Sequence, residues 1–165
     1  MLLIRYIFSK VHLCWASFPS VERYPGKEWI NAYFAAFIYC TPFVVCVFRL
    51  SYQYAADLRL SPGLFAMVKD FEAGGVRGWV VAGFATFWIE IGIVGWGGRA
   101  RRIADSVKMK YRLDTKHVVL PIISSILVVY LTAVCLISQD LLLLLGEVIS
   151  LYVVAGFAVR RGLLR

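Results

Sequence analysis

The sequence lacks the residue patterns that most enzymes and metal sites need. It has only two histidines, His12 and His117, whereas haem and metal sites normally use several His or Cys ligands at short spacings. No glycine-rich phosphate loop, Ser-His-Asp set or HExxH motif is present. We therefore expect a protein that is not an enzyme and has no catalytic residues, metal or cofactor.

Internal repeats and nucleic-acid recognition motifs are also absent. Transporters built from inverted repeats have duplicated halves, so this class loses support. The net charge is +8, from 18 Lys and Arg against 10 Asp and Glu. In a soluble protein this balance would suggest nucleic acid as a partner, but without a recognition motif it first informs membrane topology.

Apolar residues are what the sequence has in excess. Hydrophobic residues make up 61% of the chain, and the mean hydropathy is +0.74, whereas a soluble domain has about 45–50% apolar residues. This composition predicts an integral membrane protein. A chain of 165 residues has room for a single helical membrane domain, 1–165, and not for a separate catalytic domain.

Four apolar segments are long enough to cross a bilayer as helices, namely 30–50, 79–98, 118–137 and 141–159. About 20 residues are needed for ~30 Å of hydrocarbon at ~1.5 Å per residue. The last two segments are separated by 138–140, which form either a tight hairpin, the favoured reading, or part of one helix roughly 60 Å long. The predicted fold is therefore all-α and polytopic, with four transmembrane helices.

Lys and Arg are unequally distributed between the two ends of these predicted helices. Segment 1–29, segment 99–117 and the tail from Arg160 together carry 14 of the 18 basic residues. The remaining four lie in or beside the first connection, at Arg49, Arg59, Lys69 and Arg77. The positive-inside rule then places both termini and the basic segment on the cytoplasmic or matrix side.

The N-terminal segment, 1–29, is predicted to lie in the membrane interface. Arg5, Ser9 and His12 fall on one helical side of an otherwise apolar stretch, as in an interfacial amphipathic helix. The segment has no acidic residue before Glu22, which is also typical of mitochondrial targeting sequences.

A second interfacial helix is predicted at about 62–72. Ser61-Pro62 is a helix start signal and Gly74-Gly75 a stop signal. Apolar residues recur between them at helical spacing, opposite charged ones. This helix is expected to cover the bundle, or alternatively to offer a docking surface to a neighbouring protein.

Segment 99–117 is the most basic part of the chain. Six of its cations are Arg99, Arg101, Arg102, Lys108, Lys110 and Arg112. If the segment is helical, Ile103 and Val107 face the membrane while these cations face headgroups or solvent. The charge either sets topology alone or also binds anionic phospholipids such as cardiolipin, or an acidic partner surface.

Two carboxyl groups lie inside the predicted spans, where a charge is costly unless it is neutralised or paired. Glu90 shares a helical face with Ala82 and Thr86, so it is expected to point into a helix contact. The residues predicted to make polar contacts within the membrane are Glu90, Glu147, Thr86, Ser125, Thr132 and Ser150.

Two explanations compete for these acids. In the favoured one, each carboxyl hydrogen-bonds across a helix contact and holds helices together. In the alternative, Glu90 and Glu147 are stations on a proton or cation path. Because no partner for Glu90 is evident in the chain, it should be either protonated or satisfied by a neighbouring subunit.

The four cysteines suggest a third class of protein, a membrane thiol oxidoreductase. Cys46 and Cys135 fall at similar depths in the predicted spans, where reactive thiols of such a protein would lie. A Cys-x-x-Cys motif is absent, however, and Cys40 and Cys46 are too far apart along one helix for a bridge. Reduced cysteines buried at helix contacts are the expected state.

An accessory subunit of a larger membrane assembly is the function most consistent with these features. The chain is small, poor in motifs and 15% aromatic, which suits lateral packing against protein and lipid. The expected partners are other membrane-protein subunits and anionic phospholipids. The basic, acid-free N-terminus favours the mitochondrial inner membrane, and a respiratory-chain or ATP-synthase assembly, over a bacterial plasma membrane.

Overall fold

The computed structural model describes residues 2–17, 26–111, 113, 119–138 and 141–161. All regular secondary structure in these ranges is helical, which confirms the all-α prediction. The helices are α1 Leu2–Ala16, α2 Lys27–Gln53, α3 Pro62–Glu72, α4 Val76–Val94, α5 Gly98–Tyr111, α6 Val119–Ser138, α7 Leu141–Ile149 and α8 Gly156–Arg161, with a π-helical turn at Ser150–Ala155 joining the last two.

Within the described ranges, three helices are long and apolar enough to cross a membrane. They are α2, α4 and the continuous run Leu142–Arg161, which comprises most of α7, the π turn and α8. The stretch Ile123–Ile137 of α6 is apolar but shorter. These helices support a membrane protein, while a fourth crossing and the side on which the termini lie remain predictions.

Local signals set the ends of α3 as the sequence predicted. The Ser61 hydroxyl accepts a hydrogen bond from the Leu64 amide at 3.4 Å, and Pro62 occupies the first helical position. After α3 the chain turns at Gly74, whose φ of 76° favours glycine. Val68 and Phe71 are buried while Leu64 is exposed, so one side of this helix covers the bundle.

The junction between α3 and α4 is closely packed. Gly75 at the start of α4 has no side chain to cap the helix, and Asp70 of α3 does so instead, its carboxylate accepting from the Gly78 amide at 2.7 Å. A Cβ on Gly78 would lie 2.1 Å from the backbone nitrogen of Phe71. Only glycine therefore permits this approach.

Helix α4 ends earlier than the predicted span 79–98. Gly95 adopts a φ of 80°, and its carbonyl accepts a hydrogen bond from the Tyr33 hydroxyl at 2.9 Å. The chain turns there and α5 begins at Gly98. The glycines that extended the apolar run in the sequence thus form a turn.

Helix α1 is packed inside the bundle, whereas its sequence predicted a polar side facing headgroups. Ser9 and Lys10 are buried, and Arg5 donates a hydrogen bond to the Ile93 carbonyl near the end of α4 at 2.8 Å. The polar side of α1 therefore faces protein. The remainder of segment 1–29 includes residues 18–25, which lie outside the described part.

Helix α5 also differs from its prediction, because its apolar side packs on α1 and not on the membrane. Ala100, Ala104 and Val107 are buried on this side, and Tyr111 makes an edge contact with Tyr6 of α1, with 6.1 Å between ring centroids. Ile103, which was also expected to face the membrane, is half-buried.

Helices α6 and α7 fold back on each other. Thr132 and Glu147 are 15 residues apart, which is about 22 Å along a single helix, yet their side-chain oxygens lie 2.9 Å apart. One continuous helix is thereby excluded. Residues 139 and 140, part of the predicted hairpin 138–140, lie outside the described part.

Two apolar clusters form the core of the part of the chain that the structure describes. The first joins α1, the first half of α2, the end of α4, α5 and α8 through residues such as Phe8, Ala36, Val94, Ala104 and Val159. The second lies toward the other end of α2 and includes Val45, Cys46, Phe71, Ala82, Cys135 and Leu144. Glu90 lies on α4, which contributes residues to both clusters, and Glu147 lies on α7 close to Leu144 of the second cluster.

Candidate functional site

Glu147 sits in a complete hydrogen-bond group between α6 and α7. Its Oε1 lies 2.9 Å from the Thr132 hydroxyl, and its Oε2 lies 3.7 Å from the Cys135 thiol. The Thr132 hydroxyl also lies 2.8 Å from the Val128 carbonyl. Glu147 as a whole residue is 8% exposed, so these contacts replace water.

The geometry of this group indicates a neutral carboxyl. A hydroxyl carries a single proton, so Thr132 cannot fully donate to both an ionised Glu147 and the Val128 carbonyl. If Glu147 is protonated, it donates to Thr132, Thr132 donates to Val128, and the Cys135 thiol donates to the second carboxyl oxygen. Every polar atom then has a partner, and no net charge is buried.

Glu90 is more deeply buried, at 1% exposed. It lies on the inward side of α4 with Ala82 and Thr86, which are also buried. The Thr86 hydroxyl donates to the Ala82 carbonyl at 2.8 Å, and Oε1 of Glu90 has no hydrogen-bond partner among the described residues. The described part of the chain therefore offers this oxygen no compensation for its removal from water.

The structure does not join the two acids. No hydrogen bond or ion pair between Glu90 and Glu147 is found among the described residues, and Ser150, expected near Glu147, is exposed at the start of the π turn. Ser125 is half-buried on α6, within hydrogen-bonding reach of Tyr39. The predicted polar residues thus form separate contacts and not one path.

Arg49 holds three helices together, a role that was not predicted from the sequence. It is 7% exposed and donates to the carbonyl oxygens of Cys135 and Leu136, each at 3.0 Å, in the last turn of α6. Its Nε lies 3.6 Å from a carboxylate oxygen of Glu72 at the end of α3. The position of Arg49 inside the predicted span 30–50 was the available signal, because a cation there needs partners.

Tyr39 and Tyr152 connect α2 to the C-terminal half of the chain. The Tyr39 hydroxyl donates to the Ser124 hydroxyl at 2.5 Å, and the Tyr152 hydroxyl, on the π turn, donates to the Tyr39 carbonyl. This contact lies beside Pro42, whose missing N–H interrupts the backbone hydrogen bonds of α2. The π turn has no clear local signal in the sequence.

The basic side of α5 faces outward. Arg99, Arg101, Arg102, Lys108 and Lys110 are all exposed, while Arg112 lies outside the described residues. Where α5 begins, Trp29, Tyr33, Trp96 and Arg101 line an open cavity of about 500 Å³. The surface combines cations with aromatic rings, a combination found at membrane interfaces.

His12 lies where α1 approaches α2 and α5. Its ring centroid is 3.8 Å from that of Trp29. Burial lowers the pKa of His12 below its ordinary value, although the carboxylates of Glu28 and Asp105 act in the opposite direction. The imidazole is therefore neutral at neutral pH and packs as an aromatic ring.

The cysteines are buried thiols. All four lie within the described residues and none forms a disulfide. Cys46 and Cys135 belong to the same apolar cluster, and Cys135 is in contact with Glu147. Among the described residues, no group of three or more His, Cys, Asp or Glu side chains is arranged to hold a metal ion.

Tyr130 presents a polar group on the outer surface of α6. It is the twelfth of 20 residues in this helix, close to its midpoint, and is 64% exposed. No hydrogen bond to its hydroxyl is found among the described residues. Neighbouring exposed side chains, including Ile126 and Leu127, are apolar.

Comparison of the chain with protein-family models, with curated proteins and with solved structures finds no match.

Proposed function

We propose that this chain is a non-catalytic subunit that packs laterally against other proteins in a larger membrane assembly. The supporting observation is Tyr130, which is exposed near the middle of an apolar helix without a hydrogen-bond partner among the described residues. Lipid-facing tyrosines normally lie at the membrane interface, where water or headgroups satisfy the hydroxyl. In hydrocarbon the hydroxyl is costly unless a neighbouring protein supplies an acceptor.

The identity of the assembly is proposed from the sequence. The basic, acid-free N-terminus favours the mitochondrial inner membrane and a respiratory-chain or ATP-synthase complex. The exposed cations of α5 would bind anionic phospholipids such as cardiolipin on the matrix side. Neither proposal requires a reaction within this chain.

The test is the size of the native particle and its dependence on Tyr130. Membranes are solubilised in mild detergent, and the particle that contains the chain is separated on a native gel. We expect a mass well above the 18.6 kDa of the chain. Tyr130→Phe removes only the hydroxyl and should weaken assembly about fivefold, since a hydrogen bond between membrane helices contributes about 1 kcal/mol.

The matched control is Tyr54→Phe, because Tyr54 is exposed in the connection after α2. It should leave the particle unchanged. A chain that migrates alone, or equal effects of the two substitutions, would contradict the proposal.

Proton or cation conduction is the second candidate, and one observation favours it. Oε1 of Glu90 is buried without a partner among the described residues, as a proton-exchanging group would be. Against it, both oxygens of Glu147 are bonded within the chain. Loss of proton flux from liposomes on Glu90→Gln, with the native particle intact, would favour conduction over the subunit proposal. A thiol oxidoreductase has no comparable support.

A further inference from the structure

An open groove lies between α1, α2 and α6, away from the buried acids. Its volume is about 360 Å³, within the range of roughly 300–1,000 Å³ typical of sites for small molecules. Most of its lining is apolar, with Val11 on α1, Ala35 and Ile38 on α2, and Val129 on α6. Phe34 and Val129 are 65% and 51% exposed, so the groove opens to the surface that faces lipid.

One polar side chain at the groove is unsatisfied. Asn31 lines the groove, and its amide nitrogen is buried with no hydrogen-bond acceptor among the described residues. Asn31 is the fifth residue of α2, and Ala35 and Ile38 follow it on the same helical side. The donor therefore lies toward one end of the groove, and the apolar walls continue from it toward the middle of α2.

We propose that this groove binds a glycerophospholipid, with one acyl chain along Ala35 and Ile38 and an ester carbonyl oxygen accepting a hydrogen bond from Asn31. The position along the membrane agrees with this occupant. Asn31 lies about 6 Å from the start of α2, near the boundary of hydrocarbon and headgroups where ester groups lie. Lys27 is one turn earlier and exposed, so it is placed on the side of the lipid phosphate.

A lipid bound in the groove is distinguished from surrounding lipid because its binding depends on the hydrogen bond from Asn31. The full chain is reconstituted in vesicles of palmitoyl-oleoyl phosphatidylglycerol that contain a trace of the same lipid with a photoreactive diazirine on one acyl chain. Illumination should label peptides that contain Val11, Ala35 and Ile38. Asn31→Asp replaces the amide donor by an acceptor and should reduce this labelling at least fivefold, the factor that corresponds to a lost hydrogen bond of about 1 kcal/mol.

The control variant is Gln53→Glu, which makes the same change from amide to carboxylate at the exposed other end of α2. It should leave the labelling of the groove peptides unchanged. Ala35→Leu, which fills the groove, should also reduce labelling. Its counterpart Ala133→Leu, which adds the same side chain at an exposed position of α6, should not.

A dialkyl-ether lipid with the same headgroup and photoreactive chain lacks the carbonyl acceptor. Wild-type protein should be labelled by this lipid as weakly as Asn31→Asp is labelled by the ester lipid. Equal labelling of wild type and Asn31→Asp, or of wild type by ester and ether lipids, would overturn the proposal, because the groove would then hold bulk lipid or another occupant. This outcome is independent of the subunit proposal, which is tested by the size of the native particle.

Discussion

At the scale of single residues, Glu147 allows a test of how an acid is accommodated in this bundle. If it is neutral, as its contacts with Thr132 and Cys135 indicate, an amide should replace it. In Glu147→Gln the amide donates to Thr132 and its oxygen accepts from Cys135. We expect the free energy of unfolding in mixed micelles to change by less than about 0.5 kcal/mol.

Glu147→Ala is the informative contrast. It leaves the Thr132 and Cys135 side chains without their partner and opens a cavity, so it should destabilise the protein by about 2–3 kcal/mol. If Glu147→Gln proved as damaging as Glu147→Ala, the carboxyl would have to be ionised in the folded protein.

The two acids also show what the sequence reveals about single residues. The inward direction expected for Glu90 agrees with the structure, because Ala82 and Thr86 lie four residues apart on the same helix and the α-helical period is local information. The contacts of Glu147 were not specified, because Thr132 lies on another helix. Which residue of α6 lies opposite Glu147 depends on how α6 and α7 fold back on each other, and the helical periodicity of the sequence does not encode that alignment.

At the scale of whole helices, Arg49 stabilises the last turn of α6. The final carbonyl groups of a helix have no partner within the helix and carry its negative dipole end. The Arg49 guanidinium satisfies two of them and approaches Glu72 of α3. Arg49→Gln should therefore destabilise the protein by about 2–3 kcal/mol, because buried carbonyls and a carboxylate lose their donor.

The loss should be concentrated at one end of the bundle. Hydrogen exchange is expected to accelerate in the last turn of α6 and at the end of α3, with little change in α1. Arg77→Gln removes the same charge from an exposed position at the start of α4, and it should alter the free energy of unfolding by less than about 0.5 kcal/mol. Similar effects of the two substitutions would show that Arg49 acts through net charge alone.

Helix boundaries and positions could be predicted from the sequence where the interactions that set them join residues close together in the chain. The ends of α3 were predictable because Ser61, Pro62 and Gly74 act on their own turns. The location of α1 was not, because a stripe of Arg5, Ser9 and His12 suits headgroups as well as protein carbonyls. Arg5 donates to the Ile93 carbonyl and Ser9 donates to the Arg5 carbonyl, so two of the three residues of this stripe are hydrogen-bonded inside the bundle, and His12 packs against Trp29.

At the scale of the whole molecule, the apolar clusters are consistent with the charge distribution along the chain. The first cluster brings together Leu3 of α1, Ala100 of α5 and Val159 of α8. Leu3 and Ala100 belong to two of the basic parts of the sequence, and Val159 directly precedes the third. The second includes Phe71 of α3 and Leu144 of α7, which border the connections poor in cations. Four crossings, with α6 as the third, remain a prediction that is compatible with this sorting, and the described apolar stretch of α6 is short.

Site-directed labelling tests this topology. Single cysteines replace exposed residues in Asp57→Cys, Ser106→Cys and Arg161→Cys, and the four native cysteines are buried, so their background should be low. In sealed vesicles an impermeant maleimide should label Ser106→Cys and Arg161→Cys from one side and Asp57→Cys from the other. If α6 does not cross, the chain has three crossings. Arg161→Cys would then react together with Asp57→Cys, and the tail would lie opposite the basic helix α5.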